Sequence, residues 1–206
     1  MGRKEMNMEK ELQSGSTAIN SFQDEALFLA NHYGDMLRTR DALKKRLEGS
    51  WEYTEDMAID ELVTITPNYS GDHVQSSGIS NTTARITDKL MDGYVERRQS
   101  QMAKEREACR KEYEYVDWKV SVITTAVRER LDKKSRTIFL KNRGEGRSYT
   151  EIQEKTKGGV SSKTVRQAIV VAVDAIADEL QWRFVMCEER EQCYRLRNEM
   201  RGWNNS

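Results

Sequence analysis

Residues 133–167 read KKSRTIFLKNRGEGRSYTEIQEKTKGGVSSKTVRQ, and their types suit phosphate groups and base edges better than bond-making chemistry. Ten Lys/Arg stand there against three Glu, a net +7 in a chain of 206 residues whose formal charge is zero. The remaining residues therefore sum to −7, so the basic module is local. A concentrated positive field on a helical segment attracts polyanions such as duplex DNA. Ser162, Lys163, Arg166 and Gln167 are the candidate base readers: Arg can bond guanine bidentately, Gln can do the same with adenine, and Ser and Lys suit phosphate or base. Lys133, Lys134, Arg136, Arg143, Arg147 and Lys157 are candidates for neutralising phosphates, with Tyr149, Thr150 and Ser161 adding contacts at helix starts.

Three helices are expected to position these groups. The first covers about 133–142, with Ile138, Phe139 and Leu140 as its apolar side, and stops at Gly144 and Gly146. Ser148 and Glu151 have capping-box spacing, each satisfying a backbone N–H of the other, and start a short helix anchored by Ile152. Thr156 to Gly159 stops it, Val160 closes the turn, and Ser161 or Ser162 caps a third helix over about 162–180. There Val165, Ile169, Val173 or Ala172, Ile176 and Leu180 recur at three- and four-residue steps. The four candidate readers lie off that stripe in the first turns, the part of a recognition helix that enters the major groove. The plainer alternative is an amphipathic helix with a solvated polar face.

The order short helix, GEGRSYTEI, turn, VSSKTVRQ, long helix resembles region four of sigma factors. Over about 35–180 the wider arrangement is similar to phage-encoded late-gene transcription regulators of the ArpU/RinA type, which share a leading helix, a Pro/Ser/Gly linker, a long charged helix and a terminal helix-turn-helix. The resemblance implies double-stranded DNA as ligand, host RNA polymerase as a partner, and the cytoplasm of a bacterial host as location. The chain departs from it at Gly158-Gly159, where the turn is a residue longer, and in a longer tail after Leu180. A small terminase-type DNA-packaging protein and a coiled-coil protein-interaction module are the alternative readings.

Six segments follow from composition. Residues 1–17 are polar and expected to fray. An acidic helical region covers 18–65, with a stripe of Phe22, Ala26, Leu27, Leu29, Ala30, Tyr33, Leu37, Leu43 and Leu47 that is expected to break at Gly34, and a short apolar piece from Trp51 to Ile65. Residues 66–83, with Pro67, Gly71 and Gly78, read as a flexible linker, with His73 as an exposed bystander. One long coiled-coil-like helix is expected over 84–131, interrupted only by Gly93, with Cys109, Tyr113, Val116, Val120, Ile123, Val127 and Leu131 as its seam. That seam serves a homo-oligomer or packs on the chain's own leading helix. The helix-turn-helix domain spans 132–181 and a helical tail 182–206, where Trp182 and Trp203 either cover the base of the domain or face a partner.

The fold class expected is all-α. With 33% charged residues and a mean hydropathy of −0.83, the helices bury narrow stripes, and neither a membrane span nor a secretory signal is expected. Cys109, Cys187 and Cys193 are odd in number and read as reduced thiols of a cytosolic protein. The Cys187-x5-Cys193 spacing with distant His32 and His73 does not make a zinc site, so no metal or other cofactor is expected. Phosphate-loop, dinucleotide and H-E-x-x-H motifs are missing, and adjacent carboxylates such as Glu188-Glu189 point apart on a helix, which argues against an enzyme.

Overall fold

The structure is a computed structural model that describes residues 2–65, 82–155 and 160–203, with side chains described over 22–64, 85–154 and 160–203. The protein is all-α: among the described residues every regular element is helical. In chain order these are α1 (Gly2–Glu48), α2 (Glu55–Ile65), α3 (Thr82–Met91), α4 (Tyr94–Arg130), α5 (Lys133–Phe139), a π-helical turn (Leu140–Gly144), α6 (Tyr149–Lys155), α7 (Ser162–Met186) and α8 (Arg190–Trp203). They form two compact units, Met1–Ala42 with Tyr113–Ser206, and Leu43–Glu112. The expected linker falls almost wholly outside the described residues; its last two positions, Thr82 and Thr83, begin α3.

In the first unit α1 buries Phe22, Ala26, Leu29, Ala30, Tyr33 and Met36, while Leu27 of the expected stripe faces solvent. The helix begins at Gly2 rather than near residue 18. The residues before 18 contain no proline and hold three Met, three Glu and two Lys, which favour helix without needing an apolar face. It also continues through Gly34. A Cβ there would stand 2.9 Å from the Arg143 carbonyl oxygen and 3.1 Å from that of Gly144, so glycine lets the π-helical turn lie against α1.

The apolar seam foreseen on α4 is buried inside the chain. Val116, Val120, Ile123, Val127 and Leu131 join the first unit's core with Phe139, Ile152, Val165, Ile176 and Leu180, and Tyr113 is half-buried. Cys109, in the second unit, is buried with its thiol 4.0 Å from the Leu43 carbonyl. These seam residues therefore lie in the interior of the chain and not on an exposed face.

The tail closes the first unit with ionic contacts. Cys193 and Leu196 of α8 are buried, and desolvation pushes the Cys193 thiol up to about 12. Lys119 of α4 is only 5% exposed, and its ammonium lies 3.0 Å from both carboxylate oxygens of Glu199, which also accepts the Tyr115 hydroxyl at 2.8 Å. Arg197 donates to Glu25 of α1, itself 1% exposed. Arg183 of α7 bonds Glu179 at 2.8 Å and Ser121 at 3.0 Å, and Glu189 accepts the Trp118 indole N–H. Trp203 sets its ring against Phe28 and His32 of α1 and stays more than half exposed. α8 therefore packs on the first unit through Cys193, Leu196 and these ion pairs, while Trp182 and Trp203, which the sequence left undecided, both stay about half exposed.

The second unit is smaller. The end of α1 and the start of α4 run antiparallel there, Leu43 beside Cys109 and Arg46 within 4.0 Å of Glu105. The residues expected to form one helix over 84–131 break at Asp92-Gly93, because Gly93 takes φ +74, a left-handed conformation that ends α3. Arg98 of α4 grips Glu61 of α2 at 2.7 Å and lies over the Tyr53 ring. The Tyr53 hydroxyl and the Arg98 guanidinium together hold the Glu61 carboxyl below its usual range. Thr54 accepts the Met57 N–H and so starts α2.

Candidate nucleic-acid interface

The basic stretch is placed by the local devices its sequence encodes. Asp132 caps α5, accepting the N–H groups of Lys134 and Ser135. The Ser135 hydroxyl and amide, with the Lys134 amide, hold the Asp132 carboxyl below the ordinary carboxylate range. Ile138 and Phe139 turn inward, Phe139 with its ring 5.8 Å from that of Tyr33. Lys133, Lys134 and Lys141, with Thr137 and Ile138, line a shallow pit of about 310 Å³. None of the three lysines has a carboxylate partner among the described residues. Leu140, expected on the apolar side, is exposed and opens the π-helical turn.

That turn aims the next helix. Glu145 and Arg147 donate their N–H groups to the Leu140 and Lys141 carbonyls, and the Asn142 amide donates to the Arg147 carbonyl at 2.8 Å. Gly146 takes φ +71, which a side chain would resist. The capping box forms as its spacing requires: Ser148 N–H donates to Glu151 at 2.8 Å, and Glu151 N–H to the Ser148 hydroxyl at 3.3 Å. Ile152 and Val160 are buried on either side of 156–159, which lie outside the described residues together with Lys157 and the Gly158-Gly159 turn.

Ser161 is the N-cap of α7, its hydroxyl accepting the Thr164 N–H at 3.1 Å. Ser162, Lys163, Arg166 and Gln167 are all exposed in the first two turns, while Val165, Ala168, Ile169, Ala172, Ile176 and Leu180 are buried. No carboxylate among the described residues pairs with Lys163 or Arg166. Gln153 of α6 donates to the Ser162 hydroxyl at 2.9 Å, a bond across the turn that ties the two helices and that spacing alone did not reveal. Further along the same side of the helix, at three- and four-residue steps, come Val170, Asp174 and Asp178. Asp174 accepts from Gln23 at 3.2 Å and Asp178 pairs with Arg130 at 2.7 Å. The positive part of α7 thus ends before Asp174, and the helix continues to Met186, beyond the expected Leu180, as part of the core.

Two of the expected phosphate ligands, Arg136 and Arg147, make contacts within the chain. The Arg136 guanidinium donates to the carbonyls of Val127, Arg128 and Leu131. It closes the carboxyl-terminal end of α4, where unpaired carbonyls favour a cation. Arg147 is paired with Glu145 at 2.6 Å. The Nε of Arg143 is buried without a hydrogen-bond partner among the described residues. Tyr149 is half-buried and Thr150 exposed at the start of α6. Among the described residues of the basic stretch, the exposed cations with no such engagement are Lys133, Lys134, Lys163 and Arg166, and Lys141 is half-buried.

Comparison with protein-family models, with curated proteins and with solved structures finds no match. Among the described residues no helix is long and apolar enough to cross a membrane.

Proposed function

We propose that the protein is a sequence-specific DNA-binding transcription regulator, with α6 and α7 acting as a helix-turn-helix and α7 as the reading helix. One observation carries the reading: the first two turns of α7 expose Ser162, Lys163, Arg166 and Gln167 with both cations free of carboxylates among the described residues, on a helix whose opposite side is core. Arg166 and Gln167 read base edges, Ser162 is oriented by Gln153, and Val170, exposed one turn further on, suits a thymine methyl group. Lys133, Lys134 and Lys141 neutralise phosphates and set the register. The resemblance to late-gene regulators of phages and prophages supports activation through host RNA polymerase, and no catalytic step is assigned to any residue.

The test is binding to DNA fragments flanking the gene, followed by fluorescence anisotropy against random duplex, for wild type and an Arg166→Ala, Gln167→Ala double variant. Each bidentate base contact contributes about 1–3 kcal/mol of discrimination. The double variant is expected to lose the preference for one fragment while keeping weak binding to all of them. Equal binding of every duplex by wild type would refute the reading.

A further inference from the structure

The second unit carries an apolar cleft that the described residues leave uncovered and that the DNA reading does not use. Ile59 and Val63 of α2, Ile86, Leu90 and Met91 of α3, and Val95 at the start of α4 surround an open space of about 730 Å³. Met91 stands beside it 84% exposed, and Val63 is more than half exposed. Scattered exposed apolar residues are ordinary, but a protruding methionine next to a cleft of its own kind is a knob and a hole on one surface.

The charges on α2 and α3, with Glu96 of α4 also at the lining, decide what fits. α2 bears Glu55, Asp56, Asp60 and Glu61 and no Lys or Arg, and Glu61 is the one that Arg98 engages. α3 bears Arg85 and Lys89 beside the Ile86–Leu90 pair, with Asp88 as its single acid. Among the described residues no ion pair holds Glu55, Asp56, Asp60, Arg85 or Lys89. A uniformly basic partner would be repelled by the α3 wall and a uniformly acidic one by the α2 wall. The occupant that matches both is the same surface turned over, as a two-fold axis does.

We propose that this cleft docks a second copy of the chain through a two-fold interface: Met91 of each copy enters the cleft of the other, and the acidic α2 of one lies along the basic α3 of its partner. The interface uses none of the α4 seam residues, which are buried. The proposal stands without the DNA reading, and its test contains no DNA.

The test is sedimentation of the full-length chain over a range of concentrations, with circular dichroism to verify folding. Wild type is expected to dimerise, and Met91→Glu, at an exposed position, to weaken the dimer roughly tenfold or more with unchanged helix content. Asp60→Lys and Lys89→Glu are each expected to weaken self-association. An equimolar mixture of those two variants should dimerise better than either alone, because both wall-to-wall contacts of the mixed pair then join opposite charges. A monomeric wild type, a dimer indifferent to Met91→Glu, or a mixture no tighter than its components would each overturn the proposal.

Discussion

Two sets of cations, on α4, α7 and α8 in one case and on α5 and α7 in the other, have the same chemistry and opposite surroundings. Lys119, Arg183 and Arg197 are held by Glu199, Glu179, Glu189 and Glu25 in the interior of the first unit. Lys133, Lys134, Lys163 and Arg166 stand in solvent without carboxylates among the described residues. On the proposed reading, a run of Lys and Arg serves a polyanion only where the fold leaves the charges unspent. Arg136 makes the point within the basic stretch, since its guanidinium closes α4.

The largest effect is expected where a spent charge loses its partner. Glu199→Ala leaves Lys119 buried without its carboxylate and is expected to lower unfolding free energy by about 3 kcal/mol, the low end for an uncovered buried charge because Glu199 is itself partly exposed. Urea denaturation checks this, and an unchanged midpoint would mean that the tail is not held by this pair. Gly34→Ala is expected to cost about 1–3 kcal/mol, since the added methyl meets the Arg143 backbone at 2.9 Å. A loss well below that range would show that the π-helical turn can move off α1.

Substitutions on α7 sharpen the contrast. Ser161→Ala removes the N-cap bond and is expected to cost about 1 kcal/mol. Lys163→Ala and Arg166→Ala, one turn away and exposed, should change stability by no more than about 0.5 kcal/mol while weakening duplex binding. Thermal melts and anisotropy on the same samples separate the two effects, and a large stability loss at Arg166 would mean that its charge is spent after all.

The smallest effect concerns pH. The folded Asp132 carboxyl titrates below its ordinary value, so its contribution is fully present above about pH 4 and is lost as pH falls through the depressed folded value. The melting-temperature advantage of wild type over Asp132→Ala should therefore shrink on acidification below about pH 4. An advantage that stays constant with pH would show that the cap does not depend on charge.

Much of this was legible in the sequence where structure is local. The capping box at Ser148 and Glu151, the buried Val160 and the stripe from Val165 to Leu180 all follow from spacing within a few residues, and the geometry has them. Ser161 was read as a phosphate contact and also as a possible cap, and its hydroxyl makes the cap. What spacing could not give was long-range pairing: Glu25 with Arg197, Lys119 with Glu199 and Gln153 with Ser162 join residues whose proximity is set by packing. The fate of Arg136 was illegible for another reason, since its carbonyl partners lie five to nine residues back and are reached only through the turn between α4 and α5. Gly93 was read as an interruption where its left-handed backbone ends one helix and begins another. Gly34 suggested a break by composition, and only the approach of the Arg143 and Gly144 carbonyls explains a glycine inside a continuous helix.

The most direct measurement is the salt dependence of duplex binding for three proteins: wild type, Lys133→Gln with Lys134→Gln, and Arg136→Gln. Each phosphate contact contributes about 0.9 to the slope of log K against log salt. The lysine double variant is expected to lower that slope by roughly 2, while Arg136→Gln lowers stability and leaves the slope unchanged. A slope insensitive to the lysines, or reduced as much by Arg136→Gln, would contradict the view that unspent cations, and not basic composition, define the DNA-binding surface.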